Sequence, residues 1–344
     1  MIIKIPPPTN ISGVHYNLYN ESCITGAKKY LPDSSVDLII TDPPYGIGGD
    51  TLHKHYNRDE QHVVSGYVEI PKEEYRVFSE QWILEASRIL RPGGCIYIVS
   101  GYSNLCHILN ALWKTPLQEI NHIIWKYNFG VFTSRKFISS HYHILFYEKP
   151  GERRIFNLES RFGAGEKDEN GGSLNYQDRE DVWIINREYK PGQVKNKNEL
   201  PTELLAKMIQ YSSNEGDLVC DLFLGGGSTA RVAIGLNRRI VGFELSPDIF
   251  SVRMPEITVL TPGFLLPGLR SPVCSSPARK GERWTDKAKE DLFRRFLELR
   301  NKNMKKGDII EQLMVELGRG RWAIVKALKG MDDADNVQKT ILIE

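Results

Sequence analysis

The sequence predicts an α/β fold with a doubly wound, mostly parallel sheet, followed by a small C-terminal helical module. Short apolar runs bounded by turn residues recur between residues 14 and 250 at helix-length spacing, as buried parallel strands do. One run empties into three consecutive glycines that open a helix, and beyond a proline-rich stretch the chain turns basic with helical periodicity.

The runs read as strands are Val36 to Thr41, Cys95 to Ser100, Ile120 to Trp125, Tyr142 to Tyr147, Leu218 to Phe223 and Arg239 to Glu244. Glu74 to Leu90 has helical periodicity. It is expected to stop at Arg91-Pro92-Gly93-Gly94, where proline and paired glycines turn the chain into the next strand. Gly151 to Arg179 is polar, glycine-rich and without periodicity, so it reads as an inserted loop or small subdomain. Arg253 to Gly281 carries prolines at 255, 262, 267, 272 and 277 and reads as an extended linker. Three helical patterns follow, about Thr285 to Asn303, Lys306 to Leu317 and Arg319 to Lys329. The expected division is a main domain over 1–252 with its insert at 151–179, a linker over 253–281 and a basic helical module over 282–344.

A chain of 344 residues, 41% hydrophobic and 26% charged, can bury one large core or two unequal ones, which excludes a disordered tail. The formal net charge is only +2, yet residues 278–330 hold 15 Lys and Arg against 8 Asp and Glu. Any polyanion-binding signal is therefore concentrated near the C-terminus. The five cysteines form no C-x-x-C pair, and their odd number argues against a disulfide framework or a thiolate zinc site. No run approaches the ~18 apolar residues of a membrane span, and the start lacks a signal peptide's apolar core, so a cytoplasmic location is expected.

Leu218 to Leu224 leads into Gly225-Gly226-Gly227-Ser228-Thr229 and a helical Ala230 to Leu236. Glycines at a strand-to-helix turn let the backbone approach a ligand closely, and the helix N-terminus offers free amides. A second strand ends at Glu244, 23 residues after Asp221. Doubly wound folds place a carboxylate at about this spacing to accept from ribose hydroxyls, so a nucleoside-containing cofactor is expected. Asp221 would accept from a cofactor ammonium or cap the following helix. A nicotinamide-dependent dehydrogenase would use the same geometry.

The more specific feature is Thr41-Asp42-Pro43-Pro44-Tyr45-Gly46, directly after a strand. Two prolines stiffen the chain and fix a carboxylate, a carbonyl on Pro43 and an aromatic ring within four residues. That combination suits a flat, amine-bearing base. Asp42 and the Pro43 carbonyl can accept both amine hydrogens while Tyr45 stacks on the ring, which orients the amine lone pair toward an electrophile. A dehydrogenase leaves this motif unexplained.

On these two motifs the chain resembles the amino-directed DNA methyltransferases that use S-adenosylmethionine. Asp42 to Tyr45 is similar to the family's catalytic motif, and Asp221 to Gly227 to its cofactor loop, usually Asp-Pro-Phe-x-Gly-Ser/Thr-Gly. The catalytic motif preceding the cofactor loop is similar to the circularly permuted beta class, whose target-recognition region lies between the two, where Gly151 to Arg179 falls. Leu90 to Gly94, Asp181-Val182-Trp183 and Pro201 to Leu205 match as well, so the resemblance spans about residues 16–250. It implies a Rossmann-like methyltransferase fold, circularly permuted, with S-adenosylmethionine as cofactor and double-stranded DNA as partner. It further implies Asp42, Pro43, Pro44 and Tyr45 as catalytic residues. The cofactor-binding set it implies is Thr202, Asp221, Phe223, Gly225, Gly227, Ser228, Thr229 and Glu244. A cognate restriction endonuclease is left open as a second partner. Leu222 in place of proline, Gly226 in place of Ser/Thr, and Ser22 where the family often has Asp depart from the pattern and bear on cofactor affinity.

Cytosine carbon-5 methylation usually needs a cysteine after proline, and the chain has no Pro-Cys dipeptide. In the family, Asp at the first motif position usually goes with adenine and Ser with cytosine. Asp42 therefore implies the N6 amine of adenine, with N4 of cytosine as the alternative and RNA or protein amines left open. His53/His55 and His141/His143 are i, i+2 pairs without a third ligand, so no metal is expected. Another reading has His141, Tyr142 or Phe129 lining the base pocket. At the C-terminus, Lys306 to Leu317, Gly318 and Arg319 to Lys326 have the length and turn of a helix-turn-helix, with Arg319, Arg321 and Lys326 expected to reach DNA. A basic hairpin packed on the catalytic domain is the other reading. A DNA-binding regulator with a relic methyltransferase domain is a third, against which the intact Asp42 to Tyr45 motif speaks.

Overall fold

The computed structural model describes residues 10–44, 70–128, 130, 133–188, 199–270, 272, 284–302 and 304–328. The chain divides into two compact units, Met1–Arg161 with Tyr176–Ser271, and Phe162–Asn175 with Pro272–Glu344.

The first unit alternates strands and helices: β1 (Asn10–Ser12), β2 (Tyr16–Tyr19), α1 (Cys23–Tyr30), β3 (Val36–Thr41), α2 (Tyr75–Ile89), β4 (Leu90–Ser100), α3 (Leu105–Leu112), β5 (Gln118–Lys126) and β6 (His141–Glu148). After α4 (Leu174–Asp178) come β7 (Val182–Ile184), α5 (Thr202–Ser212), β8 (Leu218–Asp221), α6 (Ser228–Gly235), β9 (Arg239–Phe243) and α7 (Pro247–Thr258). The strands form one sheet in the order β1-β2-β9-β8-β3-β4-β6-β5-β7. Neighbours from β2 to β4 pair parallel, β6 runs antiparallel to both β4 and β5, and β1 is an antiparallel edge. The mostly parallel sheet expected from the apolar runs is thus present.

Alternation along β3 explains why its apolar run is nearly continuous. Leu38 and Ile40 face the core that contains Leu204 of α5 and Ala233 of α6, whereas Ile39 faces the core that contains Ala27 of α1 and Trp82 of α2. A central strand covered by helices on both faces buries every position.

Three expectations are corrected. Helix α2 passes into β4 without a separate turn, because Arg91-Pro92-Gly93-Gly94 is the first part of the strand. There the pairing with β3 slips between Val36/Leu90 and Leu38/Cys95, and Gly93, at φ +72°, donates to the Lys149 carbonyl at 2.7 Å. The glycines absorb a bulge rather than close a helix. Short β1, β2 and β7 escape sequence reading because three or four half-exposed residues give no apolar run.

Nor is 253–270 a linker. Ser246 caps α7, Pro247 occupies its first turn, and Pro255 sits inside it. An interior proline costs about 3 kcal/mol. Buried Ile249, Phe250, Met254 and Ile257 together outweigh that at roughly 1.5–3 kcal/mol each. Leu260, Leu265 and Leu269 pack against the same core, so the first unit extends to Ser271, beyond the expected boundary at 252.

The second unit contains α8 (Asp286–Asn301), α9 (Lys306–Leu317) and a helix over 321–328, here α10. They match the three expected patterns to within a few residues. Thr285 caps α8 through its hydroxyl, and Gly318 ends α9 in the left-handed region at φ +59°. Leu292, Phe296, Ile309, Leu313, Ile324 and Leu328 form a core of their own. From the insert, Asp168 accepts from the amides of Asn170 and Gly172, and Lys167 bridges Ser173.

Candidate active site

From β8 the chain crosses through α6 to β9 on one side, and from β3 through α2 to β4 on the other. The boundary between β8 and β3 is therefore the switch point of the sheet, where a crevice opens beyond the carboxyl ends of the strands. The described part of the first motif, Thr41 to Pro44, and the glycine turn both stand there. Register pairs Leu38 with Val219 and Ile39 with Cys220, which brings the end of β3 beside the end of β8. Thr41 closes the gap, its hydroxyl donating to Asp221 Oδ1 at 3.3 Å across 180 residues of sequence.

Asp42 is partly exposed at this edge, Pro43 is buried behind it, and Pro44 is partly exposed. The Tyr75 hydroxyl, from the first turn of α2, donates to the Pro44 carbonyl at 2.7 Å, so the Pro-Pro segment is held from outside as well as by its own rings. Tyr45 lies outside the described residues, as do His53, His55 and Phe129.

On the β8 side, Leu224 donates to the Phe243 carbonyl at 2.9 Å and Gly227 to the Leu224 carbonyl at 2.8 Å, folding 224–227 into a tight turn. Gly225 (φ +50°) and Gly227 (φ +80°) are left-handed, a conformation that favours glycine. A side chain on Gly227 would also press on Met254 and Ile257 at 3.3 Å. Ser228 and Thr229 begin α6, which has no side-chain cap, so its first amides face the turn. Phe223 packs on Phe78 and Trp82 of α2 at ring distances of 5.8 and 5.5 Å.

The two carboxylates behave differently. Asp221 is only 4% exposed and accepts from the Thr41 hydroxyl, the Phe223 amide at 3.0 Å and the Thr229 side chain. Burial outweighs those donors and pushes its pKa up to about 6. Glu244, just past β9, accepts from the Gly225 amide through Oε2 at 2.8 Å and from the Ser246 amide through Oε1 at 2.7 Å. Its pKa is raised as well, chiefly by burial. With the Leu245 amide also against it, the carboxylate has three backbone donors and keeps lone-pair capacity beyond them. Asn20 fixes the backbone here by donating to the Glu244 carbonyl at 2.8 Å. Thr202 begins α5, its amide donating to Glu188 at 2.6 Å.

Sequence reasoning missed Thr41, Tyr75 and Asn20. Each acts across the fold, and only Thr41, beside the motif, carried any signal. Tyr142, which the other reading placed in a base pocket, is partly buried. It stacks on Trp125 at 5.6 Å, and Arg187 approaches its hydroxyl at 3.2 Å. His143 Nδ1 meets His122 Nε2 at 2.8 Å, and burial with two neighbouring imidazoles lowers its pKa, while His141 is exposed. Among the described residues no group of three or more His, Cys, Asp or Glu could hold a metal. Also among them, no helix is long and apolar enough to cross a membrane.

At the C-terminus one expected DNA contact is overturned. Arg319 is 5% exposed and stacks over the Trp284 ring at 4.3 Å, so it closes the core of the helical unit. Arg321 and Lys326 are exposed.

The sequence profile of a family described as DNA methylase, with N6 and N4 amino groups in its name, matches residues 36–254. Type II methyltransferase M.HpaI of Haemophilus parainfluenzae is 29% identical, the match covering 69% of this chain and 73% of that one. M.BamHI of Bacillus amyloliquefaciens is 31% identical over 66% of this chain and 54% of its own, so the likeness spans about half of that relative. Among solved structures, PvuII DNA methyltransferase, cytosine-N4-specific, superposes with a TM-score of 0.53 at 14% identity, over 76% of this chain and 95% of its own. A Thermus thermophilus protein assigned as a DNA modification methylase, solved with S-adenosyl-L-methionine, gives 0.50 at 23% identity over 71% and 95%.

Proposed function

The chain belongs to the N6/N4 DNA methylase family, and on that premise we propose that it transfers a methyl group from S-adenosylmethionine to the N6 amine of adenine in duplex DNA. The observation that carries this reading is the Thr41 to Asp221 hydrogen bond, which joins an Asp-Pro-Pro segment and a glycine turn at the sheet's switch point. The methylase profile itself covers both amines; Asp42 at the head of the motif supports adenine.

The residues present fit the cofactor. Gly225 and Gly227 leave the turn without side chains, the first amides of α6 face it, and Glu244 has lone pairs for ribose hydroxyls. Bound there, S-adenosylmethionine supplies an electrophilic methyl carbon, so the protein need only orient and polarise. Asp42 and the Pro43 carbonyl accept the two amine hydrogens and direct the nitrogen lone pair, while Tyr45 offers a ring to stack on. The base must leave the helix, which costs a few kcal/mol. Asp221 supports the turn through Thr41, the Phe223 amide and Thr229 rather than reaching outward.

Label from the methyl group of the cofactor should appear in DNA as N6-methyladenine. Label as N4-methylcytosine would move the reading to the other amine, and label confined to RNA or protein would overturn it.

A pH dependence follows from Asp221. Its folded pKa lies above the ordinary value of 3.8, so the carboxylate's burial cost is present above about pH 6 and fades as protonation proceeds below it. A cationic cofactor held at the turn would favour the ionised form through space, without a direct contact. Cofactor affinity should therefore be flat above about pH 6 and fall by up to about tenfold per pH unit below it. Titration calorimetry in buffers of different ionisation enthalpy should show proton release on binding near pH 6. An affinity unchanged from pH 7 to pH 5 would dissociate Asp221 from the cofactor turn.

A further inference from the structure

Residues 162–175, part of the insert read over 151–179, and the C-terminal helices, far apart in sequence, belong to one compact unit. The methylase profile ends at residue 254, so α8, α9 and α10 lie beyond the residues it matches. Three observations bear on what these helices bind. First, α9, the left-handed Gly318 and α10 are folded around a core of their own, which Arg319 and Trp284 close, leaving α10 to present its outer face. Second, that face carries exposed Arg321, Lys326 and Trp322, the last 84% exposed at the start of the helix. Third, four acids of α8 and α9 are paired internally, Asp286 with Lys289 among them, whereas among the described residues Glu290 and Asp308 form no such pair. Asp291 pairs with Arg294, and Glu298 and Glu316 pair with Arg295. Among the described residues, Lys287, Arg300, Lys302, Lys305, Lys306 and Lys326 form no such pair.

A large exposed aromatic beside exposed basic side chains, at the N-terminal end of the second helix of a helix-turn-helix, fits a nucleic-acid duplex. Trp and Arg also favour protein interfaces, whereas Lys is depleted there, so it is exposed Lys326 together with the lysines around α8 and α9 that points to DNA. We propose that α10 docks on duplex DNA through Trp322, Arg321 and Lys326, so that the second unit adds a DNA-contacting face that contributes to which sites are methylated. Arg319 serves it only by fixing α10 on Trp284. The proposal rests on the reading of this chain as a DNA methyltransferase and adds to it a recognition surface beyond the residues that the methylase profile matches.

The test uses the full chain, with Trp322→Ala and Lys326→Glu as exposed, separable changes. Binding to duplex DNA would be followed by anisotropy from about 50 to 300 mM salt, cofactor affinity by calorimetry, and methylated positions mapped in DNA from expressing cells. Trp322→Ala should weaken DNA binding by about tenfold or more, as removing one base-reading side chain does. Lys326→Glu should lower the salt slope of log K by about 0.9 for each phosphate that the side chain no longer neutralises. Both should alter the set of methylated sites while cofactor affinity stays within about twofold. Wild-type DNA affinity, salt slope and site map in both variants would overturn the proposal. So would a change of oligomeric state in Trp322→Ala with DNA binding intact, which would make the face an interface between copies of this chain. A wild-type protein that methylates no DNA would instead sink the functional reading itself, so the two failures are distinct.

Discussion

Asp42→Ala is expected to cut the methylation rate by about 100-fold or more while cofactor affinity stays within about twofold, the pattern of losing a hydrogen-bond partner that matters chiefly in the transition state. The asymmetry follows from position. Asp42 stands on the β3 side of the crevice, whereas the turn and Glu244 that would hold the cofactor belong to β8 and β9. As the amine attacks, positive charge develops on its nitrogen, and a carboxylate accepting its N–H hydrogens is worth more then than in the ground state. Asp42→Asn keeps the volume and one acceptor but loses the charge, so its rate should fall between those of Asp42→Ala and wild type. Tyr75→Phe removes one neutral hydrogen bond behind Pro44, worth about 1 kcal/mol, and should slow turnover only several-fold. Single-turnover kinetics with the cofactor saturating separates these cases. Normal turnover by Asp42→Ala would remove the active site from the end of β3.

The parts of this site legible in the sequence are those that fix their own backbone. Pro43 and Pro44 restrict φ wherever they occur, and Gly225 and Gly227 admit left-handed conformations without help, so a strand followed by either is visible before folding. What joins them is not visible. Thr41 reads as one more β-branched strand residue, and its bond to Asp221 exists only because β8, late in the chain, inserts beside β3. Tyr75 reads as a helix aromatic until α2 is laid along the Pro-Pro segment. The same non-locality misled in the other direction. Pro255 suggested a break because its cost is local, while the burial of Phe250 and Met254 that overrides it is tertiary. Arg319 suggested a DNA contact because a cation at a helix start is normally solvated, and Trp284, 35 residues earlier, takes it out of solvent.

Glu244→Ala should give the converse of Asp42→Ala, weakening cofactor binding by about 10- to 100-fold, the range for losing hydrogen bonds to a charged group, with a smaller effect on the rate at saturating cofactor. Two losses contribute, and they can be separated. The carboxylate organises the turn by accepting from the Gly225 and Ser246 amides at 2.8 and 2.7 Å, and it would accept from the ribose with the lone pairs that remain. Glu244→Gln keeps one carbonyl oxygen for one of those amides but sets an NH2 group against the other. Donor then faces donor, and one backbone amide is left without its partner. Part of the turn's support therefore survives in Glu244→Gln, and its loss of affinity should be smaller than that of Glu244→Ala. Calorimetry against S-adenosylmethionine and against its demethylated product should show the same ratio of wild type to variant for both ligands. The ribose contact does not involve the methyl group, so a penalty confined to the methylated ligand would place Glu244 at the reacting end of the cofactor and contradict its position beyond β9. Tight binding in Glu244→Ala would mean that the glycine turn and the first amides of α6 hold the ligand without it.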